Sequence, residues 1–522
     1  MNTKLLKQKI LDLAIRGKLT QQLKTDGTAK DLLTQISDER RKTRDERKGT
    51  GFACHSGAKR SGAIESKKSK DPVQITPLNK SEAPFEIPSN WEWVRLGDLM
   101  SKVGAGSTPT GGKNIYETSG VKFIRSQNVY NDGLRLDDVV YINESIHQQK
   151  QNSRVVGNDL LLNITGASIG RCAIVPNDFD EANVNQHVLI LRLLNFDLLK
   201  YIHFAITSQF VFRQIMGAQV GGTKEGLSAE RAKELQIPLP PLAEQQRIVA
   251  KIEEAFAEID AIEKNKELLK THIKQTRQKI LDLAIHGKLV PQNKADGTAH
   301  ELLSVILSEA QGAKSKDLKK INVTRDNPHY EKIENEPFEI PESWAWVRIN
   351  DIASDMADGP FGSNLKAEHY TDKKEARIIQ LSNIAENGWK DENVRYTTFE
   401  HAKKNISRSI VEAGNLVIAK MMPAGRAMIC PSTEKMYVLS SDAVKLVPID
   451  EINNQFLCYA INSPYFKAQV NGNIQGTTRL RTSISKLREC LLALPPLNEQ
   501  SRIVAKIEEL FSTLDQMERN LV

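Results

Sequence analysis

The chain has 522 residues, of which 40% are hydrophobic and 26% charged, and its formal net charge is +7. This length predicts roughly three or four domains, each large enough for a core of its own, and the mild basic excess suits a polyanionic partner without requiring one. The five cysteines include no CxxC pair and no apolar run reaches the length of a membrane span, so the sequence favours neither a disulfide framework, nor a zinc knuckle, nor a membrane protein.

The N-terminal segment, residues 1–39, lacks the apolar core of a signal peptide, so we expect a reduced, soluble and cytoplasmic protein with no membrane partner. Its apolar residues are spaced as on one face of a helix. Residues Lys7–Ile36 return later in the chain as Arg277–Ile306, with 20 of 30 positions identical at an offset of 270. The segment is therefore predicted to be helical and to form one part of an internal repeat.

A basic segment, residues 40–83, is rich in Arg, Lys, Gly and Ser and has almost no apolar periodicity, which predicts a flexible linker. Its cations could add sequence-independent attraction to phosphates, although a solvated linker is the simpler interpretation. The first globular segment, residues 84–240, opens on PFEIPSNWEWVR, where prolines precede an aromatic and β-branched run that predicts a first strand. Short β-like runs and helical stretches follow, so we predict an α+β domain.

Two groups of residues in this first globular segment are candidates for nucleic-acid contacts. A Gly-Gly-Thr-Lys loop containing Thr223 and Lys224 offers backbone N–H groups, a hydroxyl and a cation to a phosphate or a base edge. Arg125, Gln127 and Asn128 form the second group, because Arg can bind guanine and Gln or Asn can bind adenine through paired hydrogen bonds. The alternatives are a flexible turn with solvated charges and an ordinary exposed strand or turn.

The central segment, residues 241–310, carries a heptad pattern. From Ile248 to Leu283 apolar residues recur at alternating steps of four and three, and only Lys266 and Thr276 interrupt them. A seam held over about five heptads predicts a long coiled-coil helix, which a Gly and a Pro end further along the chain. Without any other observation, such a helix would indicate a homodimerising zipper as readily as an intramolecular one.

A second linker, residues 311–336, leads into a second globular segment, residues 337–495, which begins with PFEIPESWAWVR and repeats the plan of the first. Residues Ala376–Ile384 align with Val121–Val129 at an offset of 255. The candidate nucleic-acid contacts of this segment are the aligned polar residues and a Gly/Thr/Arg loop, namely Gln380, Ser382, Asn383, Thr478, Arg479 and Arg481.

The C-terminal segment, residues 496–522, completes the repeat in a permuted order. Pro495–Phe511 matches Pro240–Phe256 at 14 of 17 positions, so the central copy is continuous, whereas the other copy begins at the C-terminus and is completed by the N-terminus. A C-terminal helix that pairs with the central seam must return toward the first domain. Two matching seams in one chain favour this pairing over a homodimer, because tethered segments meet at a high effective concentration.

The predicted fold class is α+β. It consists of two α+β domains separated by an intramolecular antiparallel coiled coil, with pseudo-two-fold symmetry and circularly permuted repeats. An arrangement of this kind suits a partner that is itself nearly two-fold, and double-stranded DNA is the commonest one.

Catalytic motifs are missing from the sequence. Gly104–Asn114 superficially resembles a phosphate-binding loop but fails the spacing GxxxxGK[ST], so a strand-to-loop turn is the better interpretation. We find no HExxH, no GxSxG and no Asn/Asp-Pro-Pro-aromatic sequence of the kind that amino-methyltransferases use. We therefore predict neither catalytic nor metal-binding residues in this chain.

At several stretches the chain resembles the specificity subunits of Type I restriction–modification enzymes. The similar stretches are two LPPLxEQxRIVAKIEExF sequences, two KILDLAIxGKL sequences, two WxWV sequences and two Gly-containing turns: Leu239–Phe256, Leu494–Phe511, Lys9–Leu19, Lys279–Leu289, Trp91–Val94, Trp344–Val347, Gly104–Pro109 and Asp358–Ser363. The resemblance spans nearly the whole chain. The proline-glutamine helix starts are quite specific to this family, whereas the Gly-containing turns are not.

The resemblance implies a DNA sequence-recognition subunit in which each globular domain recognises one half of a bipartite asymmetric DNA site. The helices would set the length of the spacer and dock two modification (methyltransferase) subunits, which carry S-adenosylmethionine and methylate adenine. Restriction (motor-nuclease) subunits that use ATP and magnesium would join them. The chain itself would hold no cofactor. The alternatives left open are a free-standing DNA-binding regulator and a two-headed protein scaffold.

Overall fold

The computed structural model describes residues 2–49, 75–109, 115–217, 226–304, 333, 335–360, 364–472 and 481–521. The chain divides into two compact units, Met1–Asn265 and Lys266–Val522. Each unit contains one mixed domain of strands and short helices, which we call its head, together with longer helices. The predicted α+β class is therefore confirmed in both units. Within the described ranges no helix is both long enough and apolar enough to cross a membrane.

The first head is built from short strands. They are β1 Glu92–Arg95, β2 Met100–Ala105, β3 Val121–Ile124, β4 Val129–Tyr130, β5 Gly133–Leu134, β6 Val140–Ile142, β7 Arg154–Val155, β8 Leu160–Asn163, β9 Cys172–Ile174, β10 Ala182–Val184, β11 Val188–Leu193 and β12 Gln236–Leu239. Two four-stranded sheets carry the domain, in the orders β2-β11-β8-β9 and β6-β3-β10-β7, and β3 runs parallel to β10.

The core of the first head lies on both faces of the β8–β11 pair. Leu161 and Ile190 pack into one apolar cluster with residues of the second sheet, whereas Leu160, Leu162 and Leu191 pack into another cluster that includes helical residues. Strands covered on both faces are expected to be apolar without interruption, and the sequence LLLN of β8 fits that expectation.

The helices of the first unit are α1 Thr3–Ile15, α2 Ala29–Gly49, α3 Glu144–Gln149, α4 Leu199–Ile206, α5 Gln209–Gly217, α6 Ala229–Lys233 and the first half of α7 Leu242–Ile285. The helical stretches predicted for the first globular segment include α4 and α5, which are separate helices because the chain turns at Thr207 and Ser208.

The second head repeats this plan. Its strands are β13 Ala345–Arg348, β14 Ala353–Asp358, β15 Tyr370–Thr371, β16 Ala376–Ile379, β17 Ile384–Ala385, β18 Gly388–Trp389, β19 Tyr396–Thr397, β20 Ile410–Val411, β21 Leu416–Ala419, β22 Ala427–Ile429, β23 Tyr437–Leu439, β24 Ala443–Pro448 and β25 Leu491–Leu494. The sheet orders β14-β24-β21-β22 and β15-β19-β16-β23-β20 match those of the first head, with one additional edge strand, β15, in the second sheet.

The helices of the second unit are the second half of α7, α8 at 299–304, α9 Phe399–Asn405, α10 Asn454–Ile461, α11 Pro464–Gly472, α12 Ile484–Arg488 and α13 Leu497–Asn520. Each head begins and ends on a two-stranded antiparallel ribbon, β1 with β12 and β13 with β25. The PFEIP-containing sequences lead into β1 and β13, so the predicted first strands are confirmed.

In the first unit α1 runs antiparallel to the first half of α7. Lys7 forms an ion pair with Asp260, and its ammonium lies 5.3 Å from the centre of the Phe256 ring. At the other end of α1, Arg247 binds Asp26 through two hydrogen bonds of 2.6 and 2.7 Å. Residue numbers rise along α1 as they fall along α7, which is the antiparallel pairing that the sequence predicts.

In the second unit α13 and the second half of α7 form the same pair. Arg277 contacts Asp515 and Glu518, and its guanidinium lies 5.6 Å from the centre of the Phe511 ring. Arg502 forms an ion pair with Asp296. Arg277 thus stands where the first unit has Lys7, and the permuted repeat seen in the sequence produces two matching helix pairs.

The predicted heptad seam is buried at its two ends and exposed in its middle. Ile248, Ile252 and Ile273 are at most 4% exposed, but Ile262 is 49% and Leu269 41% exposed. The long helix predicted from the heptad pattern is confirmed, and its middle is exposed. The periodicity continues there, but the contacts of α1 and α13 described above lie on either side of it.

A buried glutamate joins each head to the helices of its own unit. Glu244, at the start of α7, accepts hydrogen bonds from Trp91 Nε1 at 2.8 Å and from Gln22 Nε2 at 2.9 Å. Trp91 precedes β1, and Gln22 lies beyond the end of α1. One carboxylate therefore links the head, the first turn of α7 and the segment after α1. We call this cluster, Glu244 with Trp91 and Gln22, the first joint.

The second unit has the same cluster, which we call the second joint. Glu499 accepts hydrogen bonds from Trp344 Nε1 at 3.0 Å and from Gln292 Nε2 at 2.6 Å. Its side chain is 1% exposed, and burial raises the pKa of its carboxyl above the ordinary value. Both glutamates lie in the first turn of a helix, where a negative charge is favourable. No local sequence pattern indicates that each of them also binds a tryptophan.

The segment predicted as the first linker, residues 40–83, is helical at its beginning. Helix α2 continues to Gly49, and Ile75 and Leu78 at the far end are buried, with the backbone N–H of Ile75 donating to Ser37 Oγ at 3.2 Å. Helix α2 therefore continues past residue 40. Hydrophobic periodicity does not detect a helix of charged residues, which ion pairs between neighbouring turns can stabilise.

Candidate nucleic-acid interface

Each head has one edge at which loops from three strands meet. In the first head the loops that follow β3, β10 and β8 are held together, because Asn185 N donates to Ile124 O at 3.1 Å and Ile164 N donates to His187 O at 3.0 Å. β3 and β10 are parallel, so their carboxyl ends lie on the same side of the sheet. We call this surface the first edge.

The second head has the equivalent surface, the second edge, formed by the loops after β16, β23 and β21. Ser440 N donates to Ile379 O at 2.9 Å, and Lys420 N donates to Asp442 O at 3.0 Å. An open groove of about 710 Å³ lies here and is lined by Gln380, Ser382, Arg395, Arg426, Ser441 and Asp442, among others. The predicted candidates of the two heads, Arg125 and Gln380, therefore occupy matching places.

Two of the predicted DNA contacts are buried structural residues instead. Asn128 and Asn383 are both 0% exposed. Asn128 Oδ1 accepts from Arg125 N at 3.0 Å, and its Nδ2 donates to Arg135 O and to Asp138 Oδ1. The prediction that Asn128 recognises DNA was wrong, because its amide is fully used in closing the turn after β3.

Asn383 closes the corresponding turn after β16. Its Oδ1 accepts from Gln380 N at 2.8 Å, and its Nδ2 donates to Lys390 O at 2.9 Å and to Glu392 O at 2.7 Å. The prediction for Asn383 was wrong for the same reason. What the asparagine does is to fix the turn that presents Gln380 and Ser382.

We expect Asn383→Ala to lower the free energy of unfolding of the second unit by about 1–2 kcal/mol, because three backbone groups lose their partner. Urea unfolding followed by tryptophan fluorescence measures the change, and Ser382→Ala in the same turn is the matched control, with an effect close to zero. If Asn383→Ala has wild-type stability but an altered preference among DNA sequences, Asn383 contacts DNA and the structural role is contradicted.

Arg125 and Gln127 lie on the first edge and share one acidic neighbour. The guanidinium of Arg125 donates to Asp138 O at 2.8 Å, and the exposed side-chain amide of Gln127 donates to a carboxylate oxygen of Asp138. On the second edge Gln380 Nε2 donates to Asn393 O at 2.6 Å. Each candidate is thus oriented by a loop of its own head.

The first edge also holds polar residues that the sequence analysis did not select. Thr165 Oγ1 lies 2.7 Å from His187 Nδ1, and His187 Nε2 lies 3.2 Å from Gln186 Nε2. Thr108, in the Gly-containing turn of this head, contacts Gln186. The link between these residues depends on the pairing of β8 with β11, which local sequence patterns do not reveal.

The second edge differs at the same places, because it is ionic. Lys420 is 3% exposed, and its Nζ lies 2.6 Å from Asp358 Oδ1. Arg481 Nη2 lies 2.9 Å from Asp442 Oδ1. Arg481 was a predicted DNA contact and lies on this edge. Four other predicted contacts, Thr223, Lys224, Thr478 and Arg479, lie outside the residues that the structure describes.

The Gly-containing turns that the sequence analysis noted are positions of close backbone approach. Gly106 N donates to Val188 O at 3.2 Å, and Gly359 N donates to Ala443 O at 3.0 Å. A Cβ atom at 106 would overlap the carbonyl of Val184, and one at 359 would overlap the carbonyl of Ser440. Each glycine therefore supports the loop that follows β10 or β23 at the edge of its head.

Comparison with known proteins identifies this arrangement. The family model described as the Type I restriction modification DNA specificity domain matches residues 88–271 and 341–521, which is most of the chain. The chain belongs to this family. It is therefore a DNA specificity subunit, the component of such an enzyme that recognises DNA and does not catalyse. Each match contains one head and the helical segment that follows it.

Individual relatives agree along almost the whole length. The chain is 24% identical to the Type I restriction enzyme EcoAI specificity subunit of Escherichia coli, over 98% of this chain and 90% of that protein. It is 22% identical to the EcoEI specificity subunit of Escherichia coli, over 99% of this chain and 90% of that protein.

Among solved structures, a chain from work on the assembly and conformational transition of the Type I restriction–modification system has a similar fold. The TM-score is 0.52 at 18% sequence identity, and the match covers 84% of this chain and 94% of that one. In the described ranges no cluster of three or more His, Cys, Asp or Glu side chains is arranged to hold a metal ion.

Proposed function

We propose that the first edge and the second edge each bind one half of a bipartite, asymmetric site in double-stranded DNA. The observation that carries this proposal is that the two edges have the same backbone arrangement but different side chains. Both edges use the same strands and the same buried asparagine, yet Ile164 and His187 of one edge stand where Lys420 and Asp442 stand on the other. Surfaces of this kind suit two different DNA sequences.

The helices supply the second part of the proposed function. The buried glutamates of the two joints hold each head to its own helix pair, so a head cannot turn freely on the helices of its unit. We propose that the helices determine the length of the unrecognised spacer and dock two modification subunits, with restriction subunits joining for cleavage. In this proposal S-adenosylmethionine, ATP and magnesium are bound by those partners, and the complex acts in the cytoplasm.

A head exchange tests the proposal. The ribbons β1–β12 and β13–β25 are equivalent, so residues 96–235 can be replaced by residues 349–490 without changing either ribbon. We expect a chain that carries the second head twice to direct the modification subunits to methylate a two-part motif whose halves are identical and inverted. Mapping of methylated adenines in a host genome measures the motif.

The reciprocal exchange, with the first head in both places, is the control for folding and should give the other symmetric motif. An unchanged asymmetric motif after either exchange would contradict the assignment of one half-site to each head. The family disfavours a free-standing regulator or a protein scaffold. Specific binding of the motif by this chain without modification subunits would support the hypothesis of a free-standing regulator.

A further inference from the structure

The two edges differ in charge at four matched positions. β14 pairs with β24 as β2 pairs with β11, which places Asp358 where the first head has Ala105. Isolated bridges from Thr165 to Gly226 and from Met421 to Arg481 place Gly226 and Arg481 beside equivalent strand ends. By strand register and matching backbone hydrogen bonds, the ionic residues of the second edge and their counterparts on the first edge are Asp358 and Ala105, Lys420 and Ile164, Asp442 and His187, and Arg481 and Gly226.

The four ionic residues of the second edge form two neighbouring ion pairs. The buried pair is Lys420 with Asp358, and the outer pair is Asp442 with Arg481. The backbone links them, because Lys420 N donates to Asp442 O at 3.0 Å and Thr482 N donates to Lys420 O at 2.9 Å. Arg481 is therefore attached to the strand end by its neighbour's backbone as well as by the carboxylate of Asp442.

The outer pair is incompletely satisfied. Asp442 Oδ1 and Arg481 Nε are buried polar atoms without a hydrogen-bond partner among the described residues, although Arg481 Nη2 lies 2.9 Å from that oxygen. The contact has the distance of an ion pair but not the alignment of a hydrogen bond. Buried polar atoms without partners are uncommon in native proteins, and they point to a missing ligand.

A carboxylate on a surface that binds DNA also needs an explanation, since it repels phosphate groups. Two arrangements make it favourable. The carboxylate can hold an arginine in the orientation for paired hydrogen bonds to guanine O6 and N7, and it can accept a hydrogen bond from the N4 amino group of the paired cytosine. Asp442 lines the groove of the second edge, so both arrangements are open to it.

We propose that Arg481, positioned by Asp442, recognises the guanine of a G·C pair in the half-site bound by the second head. Among the described residues, the first edge has no arginine at this place, because Gly226 replaces Arg481, and His187 Nδ1 lies 2.7 Å from Thr165 Oγ1. The half-site bound by the first head is therefore not recognised by an arginine at the matching position. This inference rests on the proposed function of the two edges.

Arg481→Lys tests the inference, because lysine keeps the positive charge and loses the planar fork that makes paired hydrogen bonds. The complex with modification subunits is assayed for binding to duplexes in which each base pair of the motif is changed in turn. We expect the preference for one G·C pair in one half-site to fall about 10–100-fold, with the other positions retained. A ratio of cognate to altered duplex is used so that any general loss of affinity cancels.

Two further variants make the result decisive. Asp442→Asn should relax the same base pair to a smaller extent, and His187→Ala should relax a position in the opposite half-site. The inference is overturned if Arg481→Lys leaves every preference unchanged, relaxes an A·T pair, or affects the same half-site as His187→Ala. A chain that supports no two-part motif at all would instead contradict the proposed function.

Discussion

Glu499→Ala is expected to lower the free energy of unfolding of the second unit by about 2–4 kcal/mol, since a buried Trp344 Nε1 and the amide of Gln292 would both lose their acceptor. The loss should appear as an earlier transition in urea, measured on the full chain by tryptophan fluorescence. The first unit has its own joint around Glu244, so its transition should stay in place.

Glu499→Gln is the matched control, because the amide oxygen can still accept from Trp344 while the charge is removed. We expect its cost at neutral pH to be less than half that of Glu499→Ala. Equal stability of wild type and Glu499→Ala would show that the second joint contributes nothing to the fold.

The Glu499 carboxyl also makes the stability difference between Glu499→Gln and wild type depend on pH. Burial raises the pKa of Glu499 in the folded state, so its contribution to stability is complete below the unfolded pKa of 4.5 and is lost as pH rises through the folded value. Glu499→Gln does not titrate. Its stability relative to wild type should therefore increase as the pH is raised across that window, and a constant difference would contradict the assignment.

Gly359→Ala is expected to weaken binding of the cognate duplex by about 100-fold or more, because the added methyl group displaces the loop at Ser440 and the second edge loses several base contacts at once. Gly472→Ala, in the same head with open space around the new methyl group, should bind like wild type. Both are measured by fluorescence anisotropy on the complex with modification subunits.

Duplexes with one scrambled half-site show which head carries the defect. Scrambling the second half-site should greatly weaken binding by wild type. It should weaken binding by Gly359→Ala only slightly, because that variant has already lost those contacts. Scrambling the first half-site should affect both proteins. Gly106→Ala should give the mirror result, with Gly104→Ala as its control. Equal sensitivity of Gly359→Ala and wild type to the second half-site would contradict the placement of the second edge.

The helices and first strands could be predicted because their causes are local. Apolar spacing revealed α7 and α13, and proline ahead of WEWVR and WAWVR marked β1 and β13. The burial of the seam could not be predicted in full, because the sequence shows where a helix can be covered but not where its partner begins and ends. Ile262 and Leu269 keep the period and remain exposed.

The residues of the two edges were predictable only in part. Gln127 and Gln380 were selected because they follow a strand, and they lie on the edges; Asn128 and Asn383 were assigned to DNA on the same grounds but are buried. Their identity at matched positions in two otherwise divergent edges was the sign of a scaffold role. Conversely, Lys420 and Asp442 were missed because the strands that bring them together are separated in the chain and no local pattern joins them.

During synthesis, the order in which the first and second joints can form follows from the positions of their residues along the chain. A ribosome that has synthesised α1 must add the whole first head before Glu244 and Asp260 appear, after which the first unit has all its pieces. The second half of α7 then waits for α13, since Arg277 and Asp515 are 238 residues apart. During that interval Ile273 and Ile280 face water, so the second half of α7 is open to chaperones until α13 has been synthesised. A premature stop codon before Leu497 would leave the first unit complete and the second permanently uncovered.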